Sequence, residues 1–266
     1  MSSIHVIVCI KQVPDPEAPI SGYRVDSDAR KVVTSGVPPV ISPFDENALE
    51  LALRLKDTHG VRVTALSAGD HLSPAVLKKA LFAGADELIL VETAAEETDA
   101  FDSLQTALAL AEAIKKTGRF DIILTGRQAS DTNAGMVGIY LAEFLHVAAV
   151  TLASRISLEG EKIHIERSLP NGTEEIEAAL PVLLTAGSEA GELRSLDMRS
   201  IKEARKKPIQ KWSSAALSSP RRKQNGLVLR SLTAPKLERK CFIVEGATPA
   251  EAGEKLAVKL KEDKVL

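Results

Sequence analysis

Short apolar runs alternate with amphipathic helical segments through the first two thirds of this chain, and that alternation limits the fold more than any other property. Residues 4–10, 61–66, 87–91 and 122–125 are strand-length apolar runs. Ser42-Pro43-Phe44-Asp45 reads as a helix start: serine at the N-cap, proline at the first helical position, an acid three residues after the serine. Ala48, Leu49, Ala52, Leu53 and Leu55 carry that helix to Gly60. Ser73-Pro74 opens a second helix through Val76, Leu77, Ala80 and Leu81, with Gly84 near its stop. Residues 102–116 form a third, with Leu104, Leu108, Ala111 and Ile114 on one face and Gly118 closing it. Alternation of this kind predicts an α/β protein whose mostly parallel sheet carries helices on both faces. The polar excursion at 17–40 contains two short runs, 23–26 and 31–34, that pair as a small hairpin across Ser27-Asp28.

Ligands of such sheets bind beyond the carboxyl ends of the strands. Three loops meet there: the one after Cys9, the one after Leu66 (Ser67-Ala68-Gly69), and the one after Thr125. The third is the most distinctive. A strand delivers the chain to Gly126, which allows a tight turn. Arg127-Gln128-Ala129-Ser130-Asp131-Thr132-Asn133-Ala134-Gly135 follows, small and polar enough for backbone N–H groups to face a ligand. A helix from Met136 then adds the positive end of its dipole, so the segment has the makings of a phosphate site. Neither GxGxxG nor GxxxxGK[ST] occurs in the loop. A plain strand–loop–helix unit that binds nothing is therefore the competing reading.

Residues 150–158, 162–169 and 173–178 are also strand-like, joined by Glu159-Gly160 and by the hairpin signal Asn171-Gly172. With the apolar run at 181–186 they predict an antiparallel extension of the sheet. After Gly187 the chain stops reading as core. Residues 193–207 are basic, 212–239 lack periodicity, and Thr248-Pro-Ala-Glu251 starts a final helix with capping-box spacing. The expected division is an α/β domain over 1–190 that holds the phosphate-type loop, and over 191–266 a segment that is flexible or lies on another protein, with a C-terminal arm and terminal helix. A formal net charge of −2 offers no basic field for nucleic acid, and 3% aromatics leave little for base stacking. Apolar runs are far shorter than a membrane span. Cys9 and Cys241, the two cysteines, are far apart; they give no disulfide or metal framework and suit a cytoplasmic protein. The five histidines, at 5, 59, 71, 146 and 164, show no metal-ligand spacing, and no catalytic constellation is evident.

Four segments carry a resemblance over nearly the whole chain: Val8 to Asp15 (VCIKQVPD), Ser42 to Lys56 (SPFDENALELALRLK), Lys79 to Asp86 (KALFAGAD), and Leu124 to Asp131 (LTGRQASD) with Val137-Gly138 and Leu141-Ala142-Glu143. Ile201 to Pro208 (IKEARKKP) is a fifth. In these the chain resembles the beta subunit of electron transfer flavoproteins, including the nitrogen-fixation-associated and electron-bifurcating branches. The resemblance implies a Rossmann-like sheet of the adenine nucleotide alpha hydrolase-like kind. It implies a heterodimer with an alpha subunit that carries most of the redox-active FAD, and a second nucleotide, AMP or FAD, on the beta subunit. It implies a non-enzymatic carrier that takes electrons from dehydrogenases, the acyl-CoA type among them, and hands them to a quinone reductase or a ferredoxin or flavodoxin. In bifurcating members NADH takes part. Matched residue by residue, the nucleotide pocket uses Cys9, Ser42, Pro43, Phe44, Asp45, Ala68 and the run Gly126, Arg127, Gln128, Ala129, Ser130, Asp131, Thr132, Asn133, Ala134, Gly135, Met136 and Val137. Partner docking uses Leu196, Met198, Arg199 and Ile201. The chain departs from the family pattern at Ser42 (usually asparagine), Ala134 (usually acidic or hydroxyl) and Met136 (usually glutamine). A nucleotide-binding sensor module and a structural subunit without a nucleotide are the alternatives.

Overall fold

The computed structural model describes residues 4–93, 102–160, 162–196, 198–217, 229–235 and 241–265. The chain forms two compact units, 1–232 and 233–266. Residues 191–217 thus belong to the first unit.

In the first unit, β1 (His5–Cys9), β6 (Arg62–Gly69), β7 (Glu87–Glu92), β8 (Ile122–Gly126) and β12 (Val182–Ala186) are parallel and central. Their side chains alternate between two cores. Val6 and Val8, Leu88 and Leu90, Ile122 and Leu124 face one; Ile7 and Cys9, Ile89 and Val91, Ile123 face the other. That period of two on strands apolar at every position is what places helices on both faces. α1 (Pro43–His59), α2 (Pro74–Leu77) and α3 (Lys79–Ala83) cover the first face, through Leu49, Leu53, Leu77 and Leu81 among others. α4 (Ser103–Thr117) and α5 (Val137–Leu145) cover the second, through Leu110, Ile114 and Leu141. The single helix expected over 74–84 is two short pieces meeting at Lys78.

The antiparallel extension is present as β9 (Ala148–Glu159), β10 (Lys162–Leu169) and β11 (Gly172–Ala179). Among the described residues the sheet has nine strands, in the order β11-β10-β9-β12-β8-β1-β6-β7 and then Ile209–Ser213, which is β13. β12 lies between β8 and β9, parallel to both. β13 (Ile209–Ser213), which has no alternating pattern to announce it, pairs parallel with β7 and forms the edge. Trp212 there packs on the second core, with the Lys116 ammonium 4.7 Å from its ring centroid.

Outside the main sheet, β2 (Gln12–Pro14) pairs with β5 (Pro39–Ile41). β3 (Tyr23–Asp26) pairs with β4 (Lys31–Thr34) as expected, but with Asp26 opposite Lys31, so the turn holds four residues rather than the Ser27-Asp28 pair. Asp26 Oδ1 accepts the Ala29 N–H, and Arg30 takes a positive φ of 52° to close it. Ser67, Ala68 and Gly69 are not a loop: they continue β6 opposite Leu90, Val91 and Glu92.

α6 (Met198–Ala204) follows in the first unit. In the second unit, α7 (Pro249–Glu262) starts where the spacing predicts. Thr248 Oγ1 accepts the Glu251 N–H and Glu251 Oε2 accepts the Ala247 N–H.

Candidate functional site

Sheet order itself creates the site. From β1 the chain moves outward through β6 to β7, then returns to place β8 on the other side of β1. The crevice beyond the carboxyl ends of β1 and β8 is therefore a topological switch point, where the two connections diverge and leave room. A cleft of about 230 Å³ lies there, smaller than the roughly 300–1,000 Å³ of ordinary ligand pockets.

Three neighbouring strand ends wall it: Cys9 with the following Ile10, Lys11 and Gln12; Ala68 and Gly69 with Asp70 and Leu72; Thr125 and Gly126. Arg127, Gln128, Ala129, Asp131, Thr132, Ala134, Gly135 and Met136 supply the third wall, and Val137 and Gly138 the start of α5. Ser103, Thr106 and Leu110 of α4 close the floor. Of the residues singled out by sequence, Ser42, Pro43, Phe44, Ser130 and Asn133 are not on the lining. Their structural partners are instead behind the wall. Ser42 was expected to cap α1, but it makes no side-chain cap; its buried Oγ accepts the Ser130 N–H at 3.3 Å and ties the loop to the helix start. The Phe44 ring carries the Arg127 guanidinium 4.6 Å from its centroid. Asn133 takes φ 51° and donates its N–H to Ala129 O, folding the loop on itself.

Asp45 departs most from expectation. The acid of the presumed capping box does not reach back to Ser42. Its Oδ2 accepts the Lys11 N–H at 2.7 Å and its Oδ1 the Gly126 N–H at 3.0 Å. One buried carboxylate thus clasps the chain after β1 to the end of β8, across the switch point. Burial pushes the carboxyl up from its ordinary 3.8 to about 7, against the opposing pull of the two N–H groups and the Lys11 charge. Gly126 makes the clasp possible. A Cβ there would sit 2.5 Å from Asp45 Oδ1 and 2.7 Å from the Phe44 carbonyl carbon, so its role is close approach of α1 rather than a tight turn. Cys9 lies beneath, with its thiol pushed up by burial and by the Asp45 charge. It is a buried, apolar-type residue of the cleft wall, packed in the second core.

Several of the loop's backbone donors are left without a protein partner. The Gly126, Arg127, Ser130 and Asn133 N–H groups are used internally. Among the described residues, those of Ala129, Asp131, Thr132, Ala134 and Gly135 are taken by no other protein group. Gly135 at φ 65° turns the chain into α5, whose N-cap residue Met136 provides no side-chain bond. The first N–H groups of α5 therefore remain available beside the cleft, where the dipole favours negative charge. Unclaimed backbone donors and a mixed floor of Ser103, Thr106 and Leu110 fit a phosphate-bearing group, and the side chains lost at Ala134 and Met136 do not remove those donors. The lining residues not among the predicted site residues are Ile10, Lys11, Gln12, Gly69, Asp70, Leu72, Thr125, Gly138 and those of α4. The Asp102-Ser103 helix start after β7 was a signal for the last of these: Asp102 Oδ1 accepts the Leu104 and Gln105 N–H groups.

The basic segment is rooted on α1. Arg194 donates to both Glu50 oxygens, at 3.1 and 3.2 Å, and pairs with Asp57. Arg54 and Asn47 hold the Ala190 and Gly191 carbonyls. Leu193 packs against the first core. Leu196 is left 37% exposed and Met198 81% exposed. Arg199 pairs with Glu203 on the exposed side of α6, and Ile201 is half-buried. Two apolar side chains thus stand out on a fixed base.

No helix of the described residues is long and apolar enough to cross a membrane. Comparison with known proteins gives a family. Residues 30–217 match the model of the electron transfer flavoprotein domain. The chain is 34% identical to the electron transfer flavoprotein subunit beta of Megasphaera elsdenii, over 98% of this chain and 93% of that one. It is 32% identical to the caffeyl-CoA reductase-Etf complex subunit CarD of Acetobacterium woodii, over 99% and 100%. Against the human electron transfer flavoprotein subunit beta the identity is 36%, over 79% and 81%. With the domain match covering most of the first unit and two relatives aligned nearly end to end, this chain belongs to the beta-subunit family of electron transfer flavoproteins.

Proposed function

We propose that this protein is the beta half of a heterodimeric electron carrier in the cytoplasm, and that its switch-point cleft holds the adenylate part of a nucleotide, either AMP or the AMP half of FAD. The observation that carries the reading is that residues with unclaimed loop N–H groups and the uncapped start of α5 line that cleft. Bound flavin would supply the redox chemistry. This chain's own residues bind, orient and exclude water: the loop N–H groups grip phosphate, Asp45 fixes the spacing of the strand ends, and Leu110 with Cys9 keeps one side apolar. Leu196 and Met198, flanked by Arg199 and Ile201, are the docking site for a dehydrogenase. An exposed apolar pair in a charged rim is the form of a small transient interface. The name of the Acetobacterium woodii relative, a subunit of a reductase-Etf complex, supports assembly of this kind.

The test is composition. The chain is produced together with its alpha-subunit partner, the complex is purified and denatured, and released nucleotides are identified by chromatography. One FAD and one AMP per heterodimer gives the simple carrier; two FAD gives a two-flavin complex with a downstream ferredoxin-, flavodoxin- or quinone-type acceptor. FAD alone at one per heterodimer refutes the cleft as a nucleotide site, and failure to form a heterodimer refutes the carrier reading.

A further inference from the structure

The cleft contains more acid than base. Asp45, Asp70 and Asp131 line it against two cations, Lys11 and Arg127. An anionic ligand therefore needs a positive group that can be reassigned to it. The Arg127 guanidinium is stacked over the Phe44 ring, 4.6 Å from its centroid, and the Arg127 backbone N–H donates to Ala186 O. Lys11 is different. It leaves β1 at the cleft wall, and its Nζ reaches across the opening to Asp131, at 2.7 and 2.9 Å from the two carboxylate oxygens. Both side chains are partly exposed, 33% and 20%. Asp131 lies inside the stretch whose N–H groups are unclaimed, so the ammonium is already seated beside the loop's anion-binding donors.

We propose that Lys11 is the phosphate-binding cation of this cleft and that Asp131 is its internal competitor, exchanged for the ligand's phosphate on binding. The inference rests on the nucleotide reading given above. A phosphate monoester carries about −1.5 to −2 charge near neutral pH against −1 for a carboxylate, so at equal distance it attracts the ammonium more strongly. Lysine suits the exchange. Its charge is compact, its stem is flexible, and its three donors let it leave one oxygen pair while engaging another. The pair also gives selectivity. A neutral nucleoside offers nothing in return for Asp131, so it gains no help from Lys11.

Calorimetric titration of the nucleotide-stripped heterodimer with AMP and with adenosine tests this. Lys11→Met should weaken AMP about tenfold or more, as expected for loss of a charge-assisted contact, and leave adenosine within about twofold. Lys11→Arg should retain AMP binding, which shows that the position tolerates change. Asp131→Asn should tighten AMP about threefold or more, because the competitor is gone. AMP affinity should fall with salt more steeply in the parent than in Lys11→Met. Unchanged AMP affinity in Lys11→Met overturns the inference while leaving the nucleotide reading intact. So does equal weakening of AMP and adenosine, which makes the pair a structural clamp, and so does weaker AMP binding in Asp131→Asn. A parent complex that binds neither ligand overturns both readings.

Discussion

Two residues hold the switch point together, and both make sharp predictions. Asp45 accepts N–H groups with both oxygens, so its closest neutral analogue is a poor substitute. In Asp45→Asn an NH₂ must face either the Lys11 or the Gly126 N–H, and a buried donor left unmatched costs about 1–3 kcal/mol. The expected result is a lower melting temperature, read by calorimetry, with strand ends that no longer keep their spacing. The pH dependence has a defined sign. Burial raises the folded carboxyl from 3.8 to about 7, so the folded state binds the proton more tightly than the unfolded state. Its contribution is present in full at low pH and is lost as pH rises through that window. Denaturant titrations between pH 4 and 8 should show a downward slope in the parent that is missing in Asp45→Asn. Gly126→Ala belongs with these: its Cβ would enter Asp45 and the α1 backbone, at a cost of about 1–3 kcal/mol or more. Sequence marked Asp45 and Gly126 as important, but for other reasons. A helix-start motif says that an acid lies near a helix end; it does not say which distant N–H groups that acid will find.

At the scale of elements, α5 packs by a glycine. A Cβ at Gly138 would lie 2.8 Å from Thr125 Oγ1 and 3.1 Å from Thr185 Cγ2. Gly138→Ala should push α5 off β8 and β12, lowering stability and displacing the helix end that faces the cleft. Parallel loss of bound nucleotide, measured after denaturation, checks the second effect. The root of the docking segment makes a different prediction. Glu50→Ala removes the acceptor of the Arg194 side chain and N–H. Arg194 is partly exposed and can turn to water, so the loss is about 1–3 kcal/mol and local. Hydrogen exchange should quicken at 190–196 more than in the strands. The central strands, α1, α4 and the meander were legible because their apolar residues follow periods of 2 or 3.6 over several turns. β13 was not: Gln210 and Lys211 interrupt it, and it half-buries only Ile209 against the first core and Trp212 against the second, too few side chains to make a pattern. The continuation of β6 through Ser67, Ala68 and Gly69 was hidden by small residues that resemble a loop and are held straight by β7. Within the cleft, the loop and the strand ends could be read, whereas Lys11 and Asp70 could not, since no local spacing links a lysine after β1 to a loop more than a hundred residues away.

For the molecule as a whole, ligand and fold are coupled if the cleft binds a nucleotide, because its walls come from β1, β6, β8, α4 and the start of α5 together. Addition of AMP or FAD at about 100 times its dissociation constant should then add roughly 2.7 kcal/mol to the unfolding free energy of the heterodimer. Differential scanning fluorimetry reads this as a melting temperature a few degrees higher, and no rise with either compound would count against the cleft. The order of the nine strands has a further consequence. β12 is inserted between β8 and β9, and β13 completes the opposite border beside β7. A nascent chain that has emerged only through β9 therefore has neighbours in sequence that are not neighbours in space. It must keep a slot open until residue 182 leaves the ribosome, and the β7 border stays bare until residue 209 does. During synthesis, rather than in the finished protein, this architecture has its strand edges most open to misassociation.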